Sequence, residues 1–188
     1  VTGDLIVAAP GLTSIALPAL TSVGGELLVR NCNALTLLSL PALASVGRNL
    51  YWTSNEALTS LSLPALTSVG NNLWVSYGGT LTSLDLPALT SVGNNLGMRE
   101  NAVLTSFLLP ALTSVGNDLS VAFNKALTSL SLPALTSVGG GMWVGNNASL
   151  TSFSLPGLVV LGGLSVYNNA ALPSFELPAL TSVGNDLS

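Results

Sequence analysis

The chain has 188 residues, only 6% of them charged, and four basic residues against eight acidic ones leave a net charge of −4. With no basic stripe to release counterions, this composition argues against nucleic-acid binding. Apolar residues make up 48%, yet no apolar run approaches the roughly 18 residues of a membrane span. No signal peptide is visible, so a secreted protein would be present in mature or excised form, and the lone Cys32 can form no intrachain disulfide.

A Leu-Pro step recurs at Pro18, Pro41, Pro64, Pro87, Pro110, Pro133, Pro156 and Pro178, at six spacings of 23 residues and a last one of 22. A fixed period in the twenties marks a solenoid, whose units are too small to bury an apolar face alone and must stack. Within Leu81 to Asn101 the apolar residues fall into three short pieces: Leu81, Leu84 and Leu86; Leu89 and Val92; Leu96 and Met98. Their spacing never settles into 3.6, and Pro and Gly interrupt each unit. Leu84-Asp85-Leu86 and Leu96-Gly97-Met98 alternate as short strands do, and Pro87 closes the first because it cannot donate to a ladder. Gly93 and its equivalents Gly24, Gly47, Gly70, Gly116 and Gly139 are expected at a corner of positive φ. The expected fold is an all-β, right-handed parallel β-solenoid of about eight coils of 23 residues, filling 1–188 as one domain. Coils spaced by about 4.8 Å would make a rod about 40 Å long.

Taken in order, Val1 to Pro10 is a degenerate third strand with Val7 inward. Six regular coils run from Leu12 to Asn147, and the seventh begins at Leu150. Between Leu161 and Leu164 the corner is one residue short, which predicts a local distortion. The chain stops at Val183 to Ser188 with neither end carrying a polar cap. A fragment lacking its caps is the expectation, and end-to-end association of copies through the open edges is the other reading.

Five residues after the third-strand Leu stand Cys32, Asn55, Gly78, Asn101, Asn124, Asn147 and Asn169. Stacking puts them in one inward column, where an amide can bond backbone in its own coil and the next. The run Leu27-Leu28-Val29-Arg30-Asn31-Cys32-Asn33-Ala34-Leu35 resembles the leucine-rich repeat, and the accompanying Leu-Pro-x-Leu-x-x-Val-Gly-Gly element is similar to the receptor L-domain variant of that solenoid. The resemblance covers nearly the whole chain. It implies a solenoid fold, and such solenoids host many partners.

Catalytic motifs are sparse. Without histidine there is no histidine metal site and no histidine-based triad, and the single lysine, Lys125, belongs to no phosphate loop. Asp4 and Glu26 lie at equivalent positions of adjacent coils and read as solvated rim charges rather than half a calcium site. Cys32 reads as a column filler rather than a reactive thiol. No enzyme activity, metal or cofactor is expected.

Variation concentrates on the third strand. The residue after its Leu runs Leu28, Tyr51, Trp74, Gly97, Ser120, Trp143, Ser165. Two further on it runs Arg30, Thr53, Ser76, Arg99, Ala122, Gly145, Tyr167, and next Asn31, Ser54, Tyr77, Glu100, Phe123, Asn146, Asn168. Outward Trp and Arg on an ordered face are what interfaces and sugar sites enrich. The site expected from register is a trough with Tyr51 and Trp74 as one aromatic wall and Trp143 as the other. Gly97 and Ser120 form its floor, with Tyr77, Arg99 and Glu100 beside it. A glycan or protein ligand, outside the cell or at its surface, is the leading expectation. The alternative is ice binding by the column Thr13, Thr36, Thr59, Thr82, Thr105, Thr128 and Thr151, set against the plainer view that these hydroxyls satisfy corner backbone. A structural filament or cell-wall role is the third reading.

Overall fold

The computed structural model of the protein describes residues 1–184, so residues 185–188 of the expected stop at Val183 to Ser188 lie outside the described residues. Among those described there is no helix, and the chain winds as a β-solenoid of about eight coils of 23 residues. One regular coil consists of Ser83–Asp85, Ser91–Val92 and Leu96–Arg99. Strands pair in parallel with their equivalents in neighbouring coils, for example Leu73↔Leu96 and Leu96↔Leu119, although the ladder of the first strands is interrupted between Leu37–Ser39 and Ser60–Ser62 and between Ser106–Leu108 and Ser129–Ser131. The third strands align in one continuous ladder beginning at Leu5–Val7.

Alternation decides what faces inward. Leu63, Leu86, Leu109 and Leu132 stack in one column, each at most 1% exposed, and the third strand adds Val75, Met98, Val121 and Val144. Trp52 points inward as well and is buried.

The glycine corners do not have positive φ. They are required by close approach instead. A side-chain carbon on Gly93 would overlap the carbonyl oxygen of Gly70, and one on Gly116 would overlap that of Gly93. Backbone pairing continues around this corner, with Gly93 N–H donating to Val69 C=O at 2.9 Å and Asn94 N–H to Asn71 C=O at 2.9 Å. Coils pressed that close leave no room for Cβ. Positive φ falls instead on the residue that follows each third strand: Asn31, Ser54, Tyr77, Glu100, Phe123, Asn146 and Asn168, at φ 54–61°.

The inward amide column forms; its amides bond the backbone of the preceding coil, and from Asn101 to Asn147 each Nδ2 also reaches the Oδ1 of the next amide along the column. Asn101 Oδ1 accepts from Gly78 N–H at 3.1 Å, and its Nδ2 donates to Val75 C=O at 3.0 Å. Asn124 repeats this on Asn101 N–H and Met98 C=O. Cys32 takes the same place with sulfur, accepting from Ala9 N–H at 3.4 Å, with Arg30 C=O at 3.4 Å and Val7 C=O at 3.8 Å as the acceptors within reach of its one thiol proton. Its thiol is wholly buried.

The short corner of the seventh coil shifts the register by one residue, between Val138↔Leu161 and Gly141↔Gly163. Ser137–Gly145 and Val160–Tyr167 each run through it as one strand, which the three consecutive glycines Gly139, Gly140 and Gly141 permit.

Candidate functional site

The ladder fixes the outward row of the third strand. Tyr51 pairs with Trp74, Trp74 with Gly97, Gly97 with Ser120, Ser120 with Trp143, and Trp143 with Ser165. The row is in the expected register, but the side chains do not stand as walls around an open floor. The Trp74 indole lies flat across Gly97, where a Cβ would collide with its six-membered ring. Gly97 is therefore buried. Trp143 folds back along its own strand over Gly141, and the Tyr167 ring reaches back one coil to cover Gly145. Each aromatic thus shields a glycine backbone, the packing by which aromatics rescue glycines in sheets.

What remains open is a cavity of about 290 Å³ on coils three to seven. Its aromatic edges are Trp74, Trp143 and Tyr167, and Leu96 and Ser120 lie at its base. The polar lining is Arg99, Asn95 and Asp118. Trp143 is 38% exposed and Tyr167 37%, whereas Ser120 is 7% exposed. The trough is therefore narrower than the sequence implied, and it sits at the lower end of ligand-pocket volumes.

Of the residues expected at the site, Trp74, Arg99, Ser120 and Trp143 come together around this cavity. Tyr51 stands beside Trp74 on the outer side, and Gly97 is covered. Tyr77 and Glu100 do not line the cavity and make a pair of their own. The Tyr77 hydroxyl hydrogen-bonds Glu100, and that bond, with the carboxylate charge, raises the phenol pKa. Tyr77 and Glu100 both occupy left-handed backbone and are exposed.

Asn95, Asp118 and Tyr167 were missed, and a second ladder places the first two. Asn49 Oδ1 accepts from Asn72 N–H at 3.2 Å, Asn72 Oδ1 from Asn95 N–H at 3.1 Å, and Asn95 Oδ1 from Asp118 N–H at 3.0 Å. Asp118 Oδ1 then accepts from Gly141 N–H at 3.0 Å. The repeated Gly-Asn-Asn and Gly-Asn-Asp triplets were its sequence signal. Asp4 belongs to the same column, accepting from Glu26 N–H at 2.7 Å. Among the described residues, no group of three or more His, Cys, Asp or Glu is placed to hold a metal ion.

Five of the seven threonines of the ice-binding alternative, Thr36, Thr82, Thr105, Thr128 and Thr151, donate their hydroxyls to backbone of the preceding coil. Thr82 Oγ1 donates to Thr59 C=O at 2.9 Å, Thr128 Oγ1 to Thr105 C=O at 3.2 Å, and Thr151 Oγ1 to Thr128 C=O at 3.0 Å. Thr90 and Thr113 likewise donate to Thr67 C=O and Thr90 C=O, one coil earlier. Among the described residues no helix is long and apolar enough to cross a membrane. Comparison with family models, with curated proteins and with solved structures found no match, so the architecture of this chain is established by its own repeat and geometry as a β-solenoid.

Proposed function

We propose that the chain is a non-enzymatic recognition or adhesion module of the leucine-rich-repeat, receptor L-domain kind, acting outside the cell or at its surface and binding a glycan on the third-strand face. The observation that carries this reading is the cavity edged by the partly exposed rings of Trp143 and Tyr167. Aromatic faces present apolar area with little conformational entropy to lose. The row is held by a parallel ladder rather than by loops, so the site is pre-organised. A glycan is favoured over a protein because a cavity of about 290 Å³ suits a ring-sized group, whereas a stable protein interface needs about 800 Å² on each partner.

The test is a glycan array, with peptide probes alongside, read with the parent and with Trp143→Ala. The reading expects a glycan ligand that the variant loses while its circular dichroism is unchanged. Full retention by the folded variant, or binding of peptides alone, would reject it.

A further inference from the structure

Resting on the glycan reading, we infer that the cavity selects an acidic saccharide, a uronic-acid unit whose carboxylate is taken by Arg99 while its ring lies against the indoles. Arg99 Nε is buried and, among the described residues, is the one buried side-chain polar atom without a hydrogen-bond partner. Neither neighbouring carboxylate hydrogen-bonds this Nε. Glu100 accepts from the Tyr77 hydroxyl, and Asp118 Oδ1 accepts from Gly141 N–H. A guanidinium donor buried with no acceptor is costly, and a ligand that closed over it without supplying one would desolvate the charge further. A planar carboxylate matches the Arg fork with two parallel bonds, which a hydroxyl cannot do.

The rest of the lining fits the other half of such a ligand. Asp118 and Asn95 offer acceptor and amide groups suited to ring hydroxyls, and Trp74 and Trp143 offer flat faces. The chain carries a net charge of −4, so it has no general attraction for anions. Any preference for an acidic sugar must be local, and Arg99 is the only basic residue in the cavity lining. That makes one substitution decisive.

The experiment measures binding of uronic-acid oligosaccharides (oligogalacturonate, oligoguluronate and oligoglucuronate), each beside its carboxyl-reduced counterpart, by calorimetry. The parent, Arg99→Gln and Trp143→Ala are compared, with folding checked by circular dichroism. At least one acidic oligosaccharide should bind about ten- to a hundredfold more tightly than its reduced form, the span of a charge-assisted hydrogen bond. Arg99→Gln should erase that difference, and Trp143→Ala should weaken both forms. If the reduced form binds as well as the acid, or Arg99→Gln keeps the preference, the inference is overturned and the glycan reading stands. If no acidic oligosaccharide binds while a neutral glycan does so in a Trp143-dependent way, the outcome is the same. If no glycan of either kind binds, both readings fall.

Discussion

Replacing Asn101 with Leu should cost far more than replacing Asn95 with Leu, although both amides are hydrogen-bonded. Asn101 is fully buried and is the acceptor for Gly78 N–H at 3.1 Å and a donor to Val75 C=O at 3.0 Å. Leucine has similar volume and satisfies neither. An orphaned buried N–H costs about 1–3 kcal/mol, and the lost donor to the carbonyl adds about 0.5–1.5 kcal/mol, for about 2–4 kcal/mol in all. Asn95 is half-buried and accepts from Asp118 N–H and Asn117 Nδ2 near the surface, where water replaces it, so about 0.5 kcal/mol is expected. Urea unfolding followed by circular dichroism gives the two stabilities. Because coils interact mainly with neighbours, unfolding need not be all-or-none. Amide exchange therefore supplies the local readout: protection of Gly78 should collapse in Asn101→Leu and survive in Asn95→Leu. Equal costs at the two positions, or an unchanged Gly78 amide, would refute the inward ladder.

Leu109→Ala should destabilise by about 2–5 kcal/mol through lost transfer energy and the cavity it leaves; a change below about 0.5 kcal/mol would contradict the column. Gly93→Ala should cost about 1–3 kcal/mol by forcing its Cβ onto the Gly70 carbonyl, while Gly79→Ala, with nothing within 4 Å, should be neutral in the same melt. One tyrosine, Tyr77, should ionise above the ordinary 10.0 because of its bond to Glu100. The folded state then holds that proton more tightly than the unfolded state. Its contribution is present below the ordinary phenol pKa and lost as pH rises through the raised value. Ultraviolet titration should show the late component move down in Glu100→Gln, and an identical curve would refute the pairing. The protein should show no thermal hysteresis, since five of the seven threonine hydroxyl protons of that column are committed to backbone carbonyls; measurable ice shaping would reverse that expectation.

The register was legible because it follows from counting. The 23-residue period placed Trp74 beside Tyr51 and three coils from Trp143, and it stacked Leu63, Leu86, Leu109 and Leu132 without reference to any conformation. What the period cannot carry is the direction of a side chain across the face. Trp74 can stand up or lie over Gly97, and only the bare α-carbon beside it selects the second. The corner glycines showed that Cβ is forbidden but not why, since positive φ and close approach leave the same residue in the sequence. The true left-handed column was hidden because Tyr77, Glu100 and Phe123 occupy it, residue types that normally avoid positive φ. The second ladder was readable in the Asn-Asn pairs that end on Asn72 and Asn95, each of which places an amide just before the third-strand Leu.

The amide missing at Gly78 divides the rod unequally. Every other coil boundary along that column from Val7 to Asn169 is riveted through the core by an amide or the Cys32 thiol. Between the second and third coils the core rivet is absent, and Thr80 supplies a hydroxyl tether to Glu56 and Leu58 C=O at the rim. Pulled end to end or nicked by a protease, the rod is expected to part first at that seam. All the residues that line the cavity, from Trp74 to Tyr167, lie on the same side of it. A break there sheds the first two coils and leaves the binding face whole.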